Sequence, residues 1–532
     1  MDEPLSARGA WIVSLLVLAA FTVLVFSRLK HYALWDDEAQ TALFGQAVWE
    51  TGDTSARHGH NTVLYREAVE IDSELRNRLV APLPYYVEAP FIRDTRSVWW
   101  ARLPFALAGV ATVALMLAWL RRLGASRQQW ALASMAIVGS VALILYAKQA
   151  RYYTLAMLCC VAATYAYAHR GRGRAMLVML AVAAAATCAT HYLAYAGLMT
   201  ALAVDYVWLG RKEARLSPRA LGAIAISQVV LCAPVVLTWY PLGKHLAGEH
   251  ATFVGQRFLL WLRTLRDLNH AEYGVGILML IAPIMYLRAR DTRLLRLPIA
   301  ILVATLVVTL FTPQPPDARI ADIRYVAFLI PACLALCVLV IDALPLRGPL
   351  VLGIGLVAFG TTFLNASLAR VVPGGGYTVP VRSTLVSYMA ELARPPVSAF
   401  QLVADWLEAN ARPEETVVVD PDYATYPLMF HVPDLVYGWQ LGPARAAELP
   451  PLDPIQLRGR VLPDWIVLFE HWAEGGPGYR TVRTHGGLYT LAATLPATGV
   501  DLSRPELMQH RFRADEAFRS TAPITIWRRR AP

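Results

Sequence analysis

Apolar runs of membrane-crossing length, separated by short links, dominate the chain and leave few folds open to it. Runs long enough to cross about 30 Å of hydrocarbon fall at roughly 11–28, 101–120, 130–147, 152–168, 175–190, 193–209, 220–240, 274–287, 297–312, 325–342 and 349–365, which predicts eleven spans. The stretches 130–168 and 175–209 are nearly continuous, and each is too long for one span. Lys148-Gln149-Ala150-Arg151 and His191-Tyr192 are therefore read as the breaks that fold each into a helical hairpin. With 532 residues, 56% hydrophobic and only 17% charged, the chain is too apolar for a soluble globule and still has room for a polar domain.

A net charge of +10 invites a nucleic-acid reading, but the basic residues sit in short links between apolar runs. That distribution is how orientation in a membrane is encoded. The links with Arg121/Arg122/Arg127, Arg170/Arg172/Arg174, Arg211/Lys212/Arg215, Arg288/Arg290/Arg293/Arg296 and Arg347 fall on one side, which the positive-inside rule makes cytoplasmic. The links 29–100, 148–151, 191–192, 241–273 and 313–324, and everything after about 366, are then external. The expected location is a bacterial inner membrane with a periplasmic C-terminal domain. The first run is similar to a signal peptide, but Phe26-Ser27-Arg28 is a poor cleavage site, so it reads as a retained helix. All six cysteines lie within apolar runs; Cys333 and Cys337 share a helix face and read as small core residues, not metal ligands.

Three parts follow: a transmembrane module 1–370 with a first external loop 29–100, a linker 371–395 around Val371-Val372-Pro373-Gly374-Gly375-Gly376, and an α/β domain 396–532. The loop carries helix-forming pieces at 38–50 and 65–79, then Pro82-Leu83-Pro84-Tyr85-Tyr86 and the interfacial pair Trp99-Trp100. A loop of this length with its own helices is expected to lie on the membrane surface as a lid. In the C-terminal domain Ala399 to Asn410 reads as a helix, and Thr416 to Asp420, Trp465 to Phe469 and Ile524 to Trp527 as strands. No Walker or Rossmann loop follows any of them. Tyr423, Tyr426, Trp439 and Trp472 read equally as sugar-stacking platforms and as that domain's core.

Just past the first run stands Trp35-Asp36-Asp37-Glu38, three acids where charge is normally avoided. One acid is explained by capping: Asp37 as the N-cap of a helix from Glu38 to Trp49. Three ask for more. On the predicted topology most unusual polar residues collect at the same pole, among them Arg102, Lys148, Arg151, Tyr152, Tyr153, His191, Tyr192, Lys244, His245, Arg257, Arg266, Asp267, His270, Asp317, Asp322, Arg324 and Tyr325. They suggest an outward-facing aqueous cavity, acidic on one wall and basic on the others. An acid beside several cations, reachable from lipid, fits a base that deprotonates an acceptor hydroxyl while cations neutralise a departing phosphate. Nucleotide sugars are confined to the cytoplasm, so the donor is expected to be a sugar on a polyprenyl phosphate.

At these residues the sequence resembles the GT-C superfamily of polytopic glycosyltransferases, in the branch of aminoarabinose transferase and the protein O-mannosyltransferases. The resemblance covers roughly 10–370 and rests on Asp37-Glu38-Ala39, Pro82-Leu83-Pro84-Tyr85-Tyr86, Arg102-Leu103-Pro104, Ala150-Arg151-Tyr152-Tyr153-Thr154-Leu155, Thr190-His191-Tyr192, and Ile323-Arg324-Tyr325 with Pro331, in the expected order. It implies a GT-C-like membrane fold with Asp37 as catalytic base, Glu38 beside it, and Asp36 as the alternative if the register slips by one. It implies donor-phosphate binding by Arg151 and Arg324, with Arg102 a further candidate, and substrate binding by Tyr152, His191, Tyr192 and Tyr325. Aminoarabinose transferases carry a lysine and a paired proline before the position of Pro82; here Arg78-Leu79-Val80-Ala81 stands instead, with Arg78 as the substitute cation.

The function read from all this is an inverting transfer of a sugar from a polyprenyl-phosphate donor to a hydroxyl or phosphate on a lipid, glycan or protein acceptor. His58, His60 and Asp53 are a conceivable metal set, and some GT-C enzymes need a divalent ion; none is predicted here, nor any other cofactor or a nucleic-acid partner. The rival readings are a polyprenyl-lipid transporter or flippase, which would show polar or broken helices at the midplane and repeated halves, and a membrane-anchored cell-envelope assembly protein.

Overall fold

The computed structural model describes residues 3–64, 68–93, 95–239, 254–318, 320–371, 379–439, 441, 443–452, 462–469, 481–483, 486–496 and 523–530. In chain order these form α1 (Ala7–Phe26), α2 (Asp36–Thr51), a two-residue hairpin β1 (Arg57–His58) and β2 (Asn61–Thr62), α3 (Leu83–Ile92), α4 (Val98–Arg122), α5 (Arg127–Gly139), α6 (Val141–Ala147), α7 (Tyr153–Ala168), α8 (Arg174–Thr190) and α9 (Tyr192–Asp205). There follow α10 (Pro218–Thr238), α11 (Val254–Ala271), α12 (Val275–Ala289), α13 (Arg293–Phe311), a 3-10 segment Ile323–Leu329, α14 (Ile330–Asp342), α15 (Gly348–Gly360), α16 (Phe363–Val371), α17 (Thr384–Ala393) and α18 (Ala399–Asn410). Last come β3 (Thr416–Asp420), α19 (Thr425–His431), β4 (Val436–Gly438), α20 (Pro443–Glu448), β5 (Trp465–Phe469), β6 (Tyr489–Leu495) and β7 (Ile524–Arg529). They divide between two compact units, the first taking the described residues within 3–27 and 105–394 and the second those within 28–104, 395–496 and 523–530.

The first unit is helical and built for lipid. Among the described residues six helices are long and apolar enough to cross a membrane, and up to eight if each of two bent pairs is one span. Each of the eleven predicted runs coincides with a helix, but α7, α8 and α15 are apolar helices of fewer than 18 residues, short of a full crossing by themselves. Their outer faces carry bare hydrocarbon: Ile226, Val229 and Leu237 of α10 are 65%, 70% and 76% exposed, as a lipid-facing stripe must be. This is a polytopic membrane protein. All six cysteines are free thiols, and Cys333 and Cys337 are wholly buried in α14.

Two breaks shape this unit. Ser140 separates α5 from α6 by a bend of 53°, its Oγ accepting from the Leu143 amide at 3.3 Å as a new N-cap. α11 meets α12 at 95°. The turn passes through Gly274, at φ +65 and with room for no Cβ, since one would come within 2.5 Å of Leu364. The link predicted over 241–273 thus contains a helix; Lys244 and His245 within it lie outside the described residues.

The second unit is mixed α/β. Its five-stranded sheet has the order β4-β3-β5-β7-β6, with β3 parallel to both β4 and β5, and β7 antiparallel to β5 and β6. β5 is central and buried along its whole length, which is why Trp465 to Phe469 is unbroken hydrocarbon without alternation. The predicted helix Ala399–Asn410 and the strands at 416, 465 and 524 all stand where expected. Tyr426 and Trp439, 3% and 2% exposed, pack against each other at 5.6 Å between ring centres, so the core reading holds for both; Trp472 lies outside the described residues.

The first loop belongs to this same unit. Asn61 donates to the carbonyls of Pro433 and Leu435 and accepts from the Tyr437 amide, capping the β4 edge with one side chain. Arg445 bonds the Ala68 and Ile71 carbonyls, and Gln40 reaches Tyr426. Of the helix expected over 65–79, the described residues are helical at Ala68 and not over 69–79. The Asp72 carboxylate accepts from the amides of Glu74 and Arg76 and ties down the Arg76 guanidinium, a local turn that outcompetes a helix. Of the linker, 372–378 lie outside the described residues and Thr384–Ala393 is helical.

Candidate functional site

The three acids open α2, and the structure gives each a different environment. The helix begins at Asp36 with Trp35 as N-cap, so Asp37 is inside the first turn and does not cap it. An indole accepts no hydrogen bond; the Glu38 carboxylate instead reaches back to the Trp35 amide at 3.4 Å. Glu38 is wholly buried and forms a two-pronged pair with Arg102, Nε to Oε1 at 2.8 Å and Nη2 to Oε2 at 2.6 Å. Asp36 is also buried, at 7% exposure. Asp37 is half-buried, the most exposed acid of the three. All three stand in the first turn of α2.

The remaining donors of Arg102 go to the Leu29 and Tyr32 carbonyls through Nη1 and to Ala33 through Nη2. All five N–H groups of the guanidinium are thereby engaged. Arg78 grips both oxygens of Asp53 and reaches Thr54 Oγ1. That grip holds the Asp53 carboxyl below the usual carboxylate range, against the opposing effect of burial. His60 bonds the Leu435 carbonyl at 3.1 Å.

In the other unit five of the sequence-predicted residues come together from three separate chain segments. The His191 imidazole stacks on Tyr152, 4.4 Å between centres and 13° from parallel, and on its other partner Tyr325 at 6.2 Å and 28°. Arg151 lies over the Tyr152 ring at 5.5 Å and Arg324 over Tyr325 at 5.3 Å, with Asp322 paired to Arg324 at 2.8 Å. Tyr153 and Tyr146 extend the aromatic cluster. His191 sits in the break between α8 and α9, where its Nδ1 accepts the Ala194 amide at 3.1 Å and caps α9. Enclosure by protein, and then the charges of Arg151 and Arg324, push its pKa down to about 3. Tyr192 points elsewhere, its hydroxyl donating to the Trp239 carbonyl.

Several polar residues of the predicted cavity are structural. Lys148 bonds the Ser27 carbonyl and the Tyr388 hydroxyl, and Arg257 bonds the carbonyls of Thr309, Thr312 and Gln314. Asp267 pairs with Arg266 and accepts the Ala321 amide. Sequence reasoning overlooked Glu88 and Glu272, both wholly buried. The signal was present for Glu88, a lone acid in the apolar helix Leu83–Ile92; Glu272, which accepts from the Ser140 hydroxyl at 2.7 Å, stands at a helix break that periodicity does not reveal. Among the described residues no group of three or more His, Cys, Asp and Glu is arranged to hold a metal ion.

No protein-family model matches the sequence, and no curated protein matches it. Solved structures do. ArnT from Cupriavidus metallidurans, in the apo state and bound to undecaprenyl phosphate, matches with a TM-score of 0.55 over 98% of both chains at 15% identity. This chain has the fold of ArnT. A more distant likeness, with a TM-score of 0.44 and 10% identity over 86% of this chain and 69% of the other, is to the oligosaccharyltransferase AglB from Archaeoglobus fulgidus.

Proposed function

We propose that the protein is a membrane glycosyltransferase that moves a sugar from a polyprenyl-phosphate donor to an acceptor hydroxyl or phosphate on the periplasmic face of a bacterial inner membrane. The observation that carries the reading is the convergence of Arg151 and Arg324, from distant parts of the chain, on one aromatic cluster at the ends of apolar helices. Two guanidiniums match the two charges of a departing phosphate monoester. The undecaprenyl phosphate bound by ArnT is a ligand of that kind.

Asp37 is the base. It takes the proton of an acceptor hydroxyl as the oxygen attacks the anomeric carbon; the bond from that carbon to the phosphate oxygen breaks, and polyprenyl phosphate leaves as the dianion. A direct displacement with no enzyme nucleophile inverts the anomeric centre. Glu38 and Arg102 neutralise each other and fix the start of α2, so the phosphate falls to Arg151 and Arg324, and Arg78 serves Asp53. Tyr152 and Tyr325 line the donor's approach.

The test is purified protein incubated with polyprenyl-phosphate-linked sugars and candidate acceptors, followed by mass spectrometry. Transfer by the wild type and its loss in Asp37→Asn support the reading. Transport of labelled lipid into vesicles without covalent transfer would replace it with a flippase.

A further inference from the structure

His191 stands among cations yet is built to stay neutral, and this bears on how the donor phosphate is held if the reading above is right. The Ala194 amide is a donor only, so the ring nitrogen it meets at 3.1 Å must present a lone pair. The proton of the neutral ring therefore sits on Nε2. Protonating Nδ1 would set two donors against each other, uncap α9 and place a third cation beside Arg151 and Arg324. The groups facing the ring are those two arginines, Tyr152, Tyr325 and the Asp322 carboxylate that pairs with Arg324.

We propose that His191 is the positioning residue of the phosphate-binding arginines: a neutral imidazole of fixed tautomer that caps α9 through Nδ1 and spaces Tyr152 from Tyr325. Each arginine lies over one of those two tyrosines, so the thickness of the imidazole between them sets where both guanidiniums stand. A consequence for the reaction follows. When the bond between anomeric carbon and phosphate oxygen breaks, its electron pair stays on the phosphate, which the arginines neutralise. His191 hands over no proton, and the only proton transfer is from acceptor to Asp37.

Cap and ring can be separated by substitution. Asn accepts a helix-capping hydrogen bond but has no ring to stack, whereas Phe stacks but accepts nothing. Undecaprenyl phosphate is the probe, titrated against the full-length protein in detergent. His191→Asn is expected to keep its thermal midpoint and to bind about tenfold more weakly, and His191→Phe to unfold earlier yet bind within about threefold of wild type. In imidazole-labelled wild type, the nitrogen resonances removed by His191→Asn are expected to show the neutral Nε2–H form throughout about pH 5 to 8. An imidazolium there, or a midpoint in that interval, overturns the proposal even if His191→Phe does not fold. Wild-type affinity in His191→Asn overturns the positioning role while leaving the donor reading intact. A wild type that binds no undecaprenyl phosphate removes the donor reading and the positioning role with it.

Discussion

Arg102 donates to five acceptor contacts, two of them on Glu38, in a site from which water is excluded. Removing one partner of such a pair leaves a buried charge uncompensated and costs about 3–5 kcal/mol. Arg102→Ala and Glu38→Gln are therefore expected to lower the thermal midpoint sharply. Asp37→Asn removes the charge of a half-buried carboxylate while keeping its shape. It is expected to keep the wild-type midpoint while turnover falls by about 10²–10⁴-fold. Near-normal turnover in Asp37→Asn would end its assignment as base, and normal turnover in Asp36→Asn as well would end the carboxylate mechanism. The run of acids was legible as an anomaly, and so were the helix-end motifs around Arg151, His191 and Arg324. Which acid stays accessible was not legible, because burial is decided by contacts 64 residues away at Arg102.

At the scale of elements, small residues decide how closely helices approach. A Cβ on Gly109 of α4 would stand 2.6 Å from that of Ala147 in α6, whereas one on Gly222 of α10 meets nothing within 4 Å. Gly109→Val is expected to wedge the pair apart and abolish folded protein in detergent. Gly222→Ala, in an open helix interior, is expected to be tolerated and to gain up to about 1 kcal/mol. In the first loop the Arg78–Asp53 pair gives a pH signature. Its depressed Asp53 pKa means that the stabilisation is complete above about pH 4 and fades as pH falls through the lowered value. Asp53→Asn is expected to flatten the acid limb of stability below about pH 4, as followed by thermal melts. Apolar runs and strands were readable because their patterns are set by burial in lipid or sheet. The stretch 69–79 was misread as a helix because its Asp72 turn rests on side-chain hydrogen bonds that periodicity does not encode.

For the molecule as a whole, the second unit is assembled from chain segments far apart, which linear reading divided into a loop and a domain. The α2 helix packs on α19, and Asn61, Gln40 and Arg445 join the loop to the C-terminal sheet region. Deleting residues 396–532 is expected to strip these contacts, abolish transfer and leave the loop open to limited proteolysis; full activity in the truncated protein would refute that. The joining contacts also set a timetable for biosynthesis. Gln40 leaves the ribosome long before Tyr426, its partner 386 residues downstream, so the loop waits without these contacts while the intervening helices are made. Premature stop codons late in the reading frame should therefore yield chains cleared by quality-control proteases, and the last fifth of translation is when the nascent protein most needs a holding chaperone.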